Sequence, residues 1–212
     1  MNNDDASKMN DPALQQMLEA TRLANIRMHA SRVKVPQPEG FEPQPVSGDP
    51  HEIFIYACPP FMLQLVGDGL VYAIQKGETF NDRMQKVIAD MKQFITNQDS
   101  MTDPDKYFLS YKEITNPQGV QFKTFVQDMI FSQGEQKKFV RSAVAFFADN
   151  NPPHIGEPGS PVNPDFYQLV LSAGPFSYPS EQIKLGEINP EDKPTASLLQ
   201  IFNNVLAGIS IG

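Results

Sequence analysis

Three apolar segments between Tyr107 and Ala148 constrain the fold of this chain more than any other feature. They are rich in β-branched and aromatic residues, and only two short turn sequences divide them, Asn116–Gly119 and Ser132–Glu135. Polar, glycine-containing turns between apolar runs predict an antiparallel meander.

Both faces of the predicted strands carry apolar side chains. Because side chains alternate along a strand, Val144 and Phe146 point to one face while Ala145 and Phe147 point to the other. A sheet that is apolar on both faces has to be covered on both faces.

Two amphipathic segments supply the predicted covers. An apolar stripe runs from Phe80 to Ile95, after a capping-like pair formed by Thr79 and Asp82, and a second stripe runs from Leu198 to Ile209. The sequence therefore predicts an α+β fold, a single-domain α/β/α sandwich over residues 33–212 with a mainly antiparallel sheet.

Residues 11–31 are predicted to form a further helix. Asp11 suits the N-cap, Pro12 suits the first helical position, and Leu14, Met17 and Leu18 recur at helical spacing. The helix either packs on its own domain or acts as an arm that docks onto another subunit or a partner. We treat residues 1–32 as an N-terminal helical arm.

The remaining segments are assigned from turn and proline signals. Prolines hold residues 35–50 extended as a surface strap, and a short strand follows at 52–57. Gly67–Gly69 predicts a hairpin between residues 61–66 and 70–75. Residues 149–164 read as a long loop before a strand at 166–173.

Composition excludes several classes of function. The formal net charge of -8 opposes sequence-independent binding to nucleic acid, and no apolar run approaches the roughly 20 residues of a membrane span. The acidic N-terminus lacks signal-peptide features and the single cysteine, Cys58, fits a reducing compartment, so we expect a cytoplasmic protein. A mature exported chain would look the same.

No set of residues has the spacing of a catalytic or metal site. His29, His51 and His154 form no ligand pair, and His29 and His154 are interpreted as surface or capping residues. Cys58 is expected to be buried and inert. The acidic residues between 99 and 105 lack the glycine and glutamate of a calcium loop. We therefore expect no catalytic residues, metal or cofactor.

Lys137, Lys138 and Arg141 begin one strand and, with Lys123, could form a small basic patch. Edge protection or cross-strand pairing with Asp128 is the simpler interpretation.

The chain resembles the PsbP-like superfamily over residues 33–209. The resemblance rests on the Pro38-Glu39-Gly40-Phe41 sequence and on the order of helix, meander, strand and final helix. Members are mostly α/β/α sandwiches without enzymatic activity, among them a photosystem II subunit, a Ran-binding import factor and chaperones for type VI secretion effectors. The resemblance implies a binding or chaperoning protein.

The leading hypothesis is accordingly a non-catalytic protein-binding module, such as an adaptor, an assembly factor or an effector chaperone. The residues predicted to contact the partner are Leu14, Met17, Leu18, Asp149, His154 and Glu157. One alternative is an enzyme or small-molecule binder with a pocket under the 149–164 loop, since long loops are often functional. Another is a structural protein that self-associates through the N-terminal helix.

Overall fold

The computed structural model describes residues 12–49, 51–67, 82, 84–86, 88–90, 93, 108–151, 165–178, 180 and 183–212. The elements with complete bounds are, in chain order, α1 (Pro12–Ala30), β1 (Val33–Lys34), β2 (Glu42–Gln44), β3 (Glu52–Cys58), β4 (Phe61–Gly67), β5 (Phe108–Thr115), β6 (Gln121–Gln133), β7 (Gln136–Asp149), β8 (Asp165–Ser177), α2 (Lys193–Gly208) and β9 (Ser210–Ile211).

The predicted meander is confirmed as β5, β6 and β7 of a seven-stranded sheet. The strand order is β2-β3-β4-β8-β7-β6-β5, and every neighbouring pair is antiparallel. The strand predicted at 166–173 is β8, which continues to Ser177. The α+β class with a mainly antiparallel sheet is confirmed.

Each face of the sheet has its own apolar cover. On one face, Ala145 and Phe147 belong to a core cluster that includes Leu198 and Phe202 of α2. On the other face, Phe146 clusters with Met84, which lies among helical residues at 84–86 and is 1% exposed. Alternation along β7 therefore builds the predicted α/β/α sandwich.

The hairpin predicted between residues 61–66 and 70–75 is wrong as a strand pairing. β4 pairs with β3 along one edge and with β8 along the other, so neither edge of β4 is left for a third strand. The chain turns at Pro59-Pro60, between β3 and β4. The prediction from Gly67–Gly69 failed because β4 is a central strand whose second partner is β8, which lies far along the chain.

The proline-rich strap forms the opposite edge from β5. Its β2 strand carries Pro43 and pairs with β3, a position where the missing N–H of proline is tolerated. Phe41 anchors the strap in the core at 3% exposure. Pro36 crosses the end of α2 so closely that a Cβ on Gly208 would lie 2.8 Å from its Cγ atom.

A buried ion pair on the sheet binds α2 and the segment that precedes it. Arg141 donates from Nε and Nη2 to the two carboxylate oxygens of Asp128, at 2.7 Å each, and both side chains are fully buried. Arg141 also donates to Thr195 Oγ1 of α2 and to the Lys184 carbonyl. Asp128 accepts from the Gly186 amide. The predicted pairing with Asp128 is confirmed.

The proposed basic patch does not form around Arg141. The Lys123 ammonium pairs with the Glu113 carboxylate and its side chain is 8% exposed, while Arg141 is buried. Both cations are therefore neutralised by carboxylates on neighbouring strands.

The side chain of Asn116 joins the β5–β6 turn to the end of α2. It donates from Nδ2 to the carbonyls of Leu206 and Ile209, at 2.8 and 2.7 Å. Its Oδ1 accepts from the amides of Gln118 and Val120. Asn116 thus closes the turn and caps the Leu206 and Ile209 carbonyls at the C-terminal end of α2, where the Ile209 amide also donates to the Leu206 carbonyl.

The helix predicted at 11–31 is confirmed as α1, and the proposed N-cap Asp11 lies outside the described residues. Its last residues, His29 and Ala30, are buried, while all eight described side chains between residues 12 and 28 are exposed. Within the described part of the chain, no helix is long and apolar enough to cross a membrane.

Candidate functional site

Five titratable side chains meet where α1 ends, β7 ends and β8 begins. We call this set the polar end cluster; its members are His29, Arg32, Asp149, Asp165 and Tyr167. Asp149 and Asp165 are register partners, and Tyr167 follows two positions along β8. Since positions i and i+2 share a face, the two carboxylates and the phenol lie on the face that α2 covers.

The arm supplies the partners of the two carboxylates. His29 Nδ1 lies 2.6 Å from Asp165 Oδ2, and Arg32 Nη1 lies 3.1 Å from Asp149 Oδ2. Arg32 also donates to the carbonyls of Asn151 and Gly212. Directly opposed like charges destabilise a sheet, so these contacts attach α1 and offset that repulsion.

The cluster is largely buried from water and contains two carboxylates, and both properties affect its pKa values. Burial raises the pKa of Asp165, and hydrogen bonding to His29 opposes that rise; nearby Asp149 adds to it. Burial likewise raises the pKa of Tyr167, with further contributions from the charges of Asp165 and Asp149. Both shifts mean that additional negative charge is unfavourable here.

Among the residues that the structure describes, three buried polar atoms of the cluster have no hydrogen-bond partner: His29 Nε2, Asp149 Oδ2 and Tyr167 Oη. The contact between Arg32 and Asp149 Oδ2 is therefore a charge pairing without an aligned hydrogen bond. Buried polar groups are nearly always paired, so an unpaired set marks a place for water or a ligand.

The interpretation of His29 as a surface or capping residue is wrong. Its side chain is buried at 6% exposure, and its partner Asp165 lies 136 residues away in the sequence. Local spacing carries no trace of such a pair. In the sequence, this part of the fold was marked only by the acidic residues that flank the 149–164 loop. Of these, only Asp149 was predicted to be a site residue.

A polar cavity of about 400 Å³ opens beside the cluster. Arg32 and Asp149 form part of its wall, and half of the other lining residues carry amide side chains: Gln118, Gln121, Asn150 and Asn151. The cavity gives solvent access to the side of the cluster where Asp149 lies.

The ionisation of Tyr167 predicts a loss of stability at alkaline pH. Burial raises its pKa in the folded state above the ordinary tyrosine value of about 10, so the folded state keeps a proton that the unfolded chain loses. This contribution is complete below about pH 10 and falls by about 1.4 kcal/mol per pH unit above it. Urea unfolding between pH 9 and 11 should show a shallower decline in Tyr167→Phe than in the wild type.

Tyr178→Phe is the matched control, because Tyr178 is 40% exposed. Its pH profile should follow that of the wild type. Identical profiles for all three proteins would contradict the buried, protonated state of Tyr167.

The residues predicted to contact a partner are placed in three different ways. Met17 lies on α1 and is 63% exposed. Asp149 is 3% exposed, and it lines the cavity as a member of the polar end cluster. The side chains of Leu14 and Leu18 lie outside the described part of the chain, as do His154 and Glu157. Partner binding by these residues stays a prediction.

Other candidate chemistry is not assembled by the described fold. His51 directly precedes β3 and Cys58 ends it, about 23 Å away for an extended strand, so they form no catalytic dyad. Cys58 is partly buried against the core. Where the structure describes the chain, no three His, Cys, Asp or Glu residues could hold a metal ion. The acidic loop at 99–105 lies outside the described residues.

Comparison with known proteins leaves the family open. No family model matches the chain, and no curated protein matches it. A similar solved structure is that of LpqN, involved in cell envelope biogenesis of Mycobacterium tuberculosis. It is 14% identical over 84% of this chain and 82% of that chain, with a TM-score of 0.38. A likeness at this level carries no functional inference.

Proposed function

We propose that this protein is a non-catalytic protein-binding module, an adaptor, assembly factor or effector chaperone, whose arm α1 docks on a partner protein. The observation that carries the proposal is the surface of α1. Met17 and Met28 are 63% and 56% exposed, and Ala20 and Ala24 are exposed between them at helical spacing.

The exposed surface of α1 is uncharged wherever it is described. Its eight exposed side chains are Pro12, Ala13, Gln16, Met17, Ala20, Thr21, Ala24 and Met28. In a protein of net charge -8, a neutral, methionine-bearing helix face is unusual surface. Methionine is flexible and polarizable, which suits it to irregular apolar binding sites. The partner surface that fits is an apolar groove that receives a helix.

The geometry of attachment supports a docking role. α1 spans about 28 Å at 1.5 Å per residue over 19 residues, and its C-terminal end is fixed by His29, Ala30 and Arg32. A helix anchored at one end presents most of its length to a partner. The sandwich then serves as the scaffold that holds the arm.

Two further parts of the proposal rest on the sequence. The element order over residues 33–209 supports a place in the PsbP-like superfamily, whose members are mostly without enzymatic activity and include binding and chaperoning proteins. A cytoplasmic location is supported by the single cysteine, Cys58, which fits a reducing compartment.

Charge substitution on the arm tests the proposal. Purified wild-type protein is used to capture partners from its native host, and Met17→Glu and Met28→Glu are compared with it. Because a buried carboxylate in an apolar groove is costly, each variant should lose the specific partner by at least about tenfold in affinity. Circular dichroism and unfolding should stay unchanged, because both positions are exposed.

Val46→Glu is the matched control, since Val46 is 43% exposed and lies on the strap. It should keep the partner. Equal capture by all four proteins would contradict docking through α1. The molecular mass in solution distinguishes self-association from binding to a different protein. If the wild type is a dimer and Met17→Glu is a monomer, the partner is a second copy of the chain.

A further inference from the structure

The cavity of about 400 Å³ has walls whose backbone is held in place on two sides. In the β5–β6 turn, the amide of Gln118 donates to Asn116 Oδ1. At the end of β7, the amide of Asn151 donates to Asp149 Oδ1, and the Asn151 carbonyl accepts from Arg32. Walls fixed in this way are preorganised, which lowers the cost of ordering a site when a ligand binds.

Half of the residues that line the cavity, apart from Arg32 and Asp149, carry exposed primary amides. They are Gln118, Gln121, Asn150 and Asn151. Within the described part of the chain, none of these four side-chain amides has a hydrogen-bond partner in the protein. Each amide group offers two N–H donors and one carbonyl acceptor. A ligand in the cavity therefore meets donors and acceptors together, which suits hydroxyl groups because a hydroxyl both donates and accepts.

The two charged residues of the lining neutralise each other. Arg32 Nη1 lies 3.1 Å from Asp149 Oδ2, so a charged ligand would gain little from either group. An anion would also approach a protein of net charge -8. Arg32 has five N–H donors, and its contacts with the described residues use Nε and Nη1. The donors on Nη2 are left for a neutral oxygen.

The other lining residues are aliphatic or glycine: Gly119, Val120, Ala148 and Ile211. Among the described lining residues none has an aromatic ring, so a nucleobase would have no ring to stack on. The C–H groups of a sugar ring can pack against small aliphatic side chains. A Cβ built on Gly119 meets no atom within 4 Å, which leaves space beside the turn.

We propose that this cavity binds a neutral sugar, with the side-chain amides of Gln121 and Asn150 among its hydrogen-bond partners. Neighbouring hydroxyls of a sugar ring bond in pairs to the N–H and carbonyl groups of such amides. The volume of about 400 Å³ lies within the range of small-molecule pockets, about 300–1,000 Å³. The site is separate from the exposed face of α1, so sugar binding and partner docking are tested independently.

Titration of the ¹⁵N-labelled full chain with monosaccharides tests the site. Glucose, galactose, mannose and N-acetylglucosamine are the neutral probes, and glucosamine and glucuronate are the cationic and anionic probes of similar size. At least one neutral sugar should give saturable shifts of the side-chain NH₂ signals in the cavity. Its dissociation constant should be at least about fivefold lower than those of the charged sugars. Absence of saturable shifts with every neutral sugar would overturn the proposal, as would equal or tighter binding of a charged sugar.

A blocked peptide, N-acetyl-trialanine amide, separates sugar recognition from peptide recognition. It presents neutral N–H and carbonyl groups but no hydroxyls. We expect it to leave the NH₂ signals of the cavity unshifted. Shifts as large and as saturable as those with the best sugar would assign the cavity to peptide backbone and overturn the sugar site.

Removal of single amides identifies the contacts. Gln121→Ala and Asn150→Ala each remove an exposed amide that has no partner within the described chain, so folding should be unchanged. Sugar affinity should fall about three- to tenfold in each, as expected for the loss of a hydrogen bond. Gln200→Ala is the matched control, because Gln200 is an exposed amide that lines another cavity, between the strap and α2. Affinity that is unchanged in both cavity variants, or lost in Gln200→Ala, would overturn the proposal.

Discussion

Replacing Arg141 by methionine is expected to lower the free energy of unfolding by about 3–5 kcal/mol, as removal of one partner from a buried ion pair does. The substitution leaves Asp128 fully buried without its cationic partner. It also removes the bonds to Thr195 and Lys184 that hold α2 and its approach. Urea unfolding at neutral pH measures the change.

The double variant Arg141→Met with Asp128→Asn shows how much of the stability loss comes from leaving Asp128 without its partner and how much comes from lost packing. Asparagine keeps an oxygen for the Gly186 amide, so the double variant should recover a large part of the lost stability. Lys137→Met is the matched control, because Lys137 is an exposed cation on the same strand; its effect should stay within about 0.5 kcal/mol. Equal losses in Arg141→Met and Lys137→Met would contradict the buried pair.

Asn116→Ala is expected to cost about 3 kcal/mol. The substitution removes two donated and two accepted hydrogen bonds of a buried side chain, each worth about 1 kcal/mol net, with partial compensation by water. Hydrogen exchange should quicken in the last turn of α2 and in the β5–β6 turn together. Urea unfolding supplies the free energy.

Asn116→Asp separates the two halves of this contact. A carboxylate keeps acceptors for Gln118 and Val120 but faces the carbonyls of Leu206 and Ile209 with no donor. The variant should therefore be destabilised, with its effect greatest at the end of α2. Gln118→Ala, at an exposed position of the same turn, should be nearly neutral. A neutral Asn116→Asp would show that the cap on α2 contributes little.

Prediction from sequence was accurate where the signal is local. The two-residue period around Phe146 and Phe147 gave both core faces of β7, and the 3.6-residue stripe gave α2. The pairing of Asp128 with Arg141 was accessible because a two-residue turn fixes the register of β6 and β7. Each of these depends on residues close in the chain.

Prediction failed where partners come from distant segments. Residues 61–66 gave a hairpin through Gly67–Gly69, but β8 arrives from about a hundred residues away and takes that edge of β4. His29 was predicted to be a surface or capping residue, but in the folded protein it contacts Asp165 of β8. Of the five residues of the polar end cluster, only Asp149 was among the predicted site residues.

The sequence by itself determined the meander strands, the helices α1 and α2 and the need for two covers, because side-chain periodicity and turn residues act over a few residues. Only the tertiary structure decided which strands from distant parts of the chain are neighbours and what Asp149 and Asp165 face. Register across β7 and β8 opposes Asp149 to Asp165, and the end of α1 brings His29 and Arg32 to them. Pairing and burial depend on chain segments that meet only after folding, so the polar end cluster has no local signature.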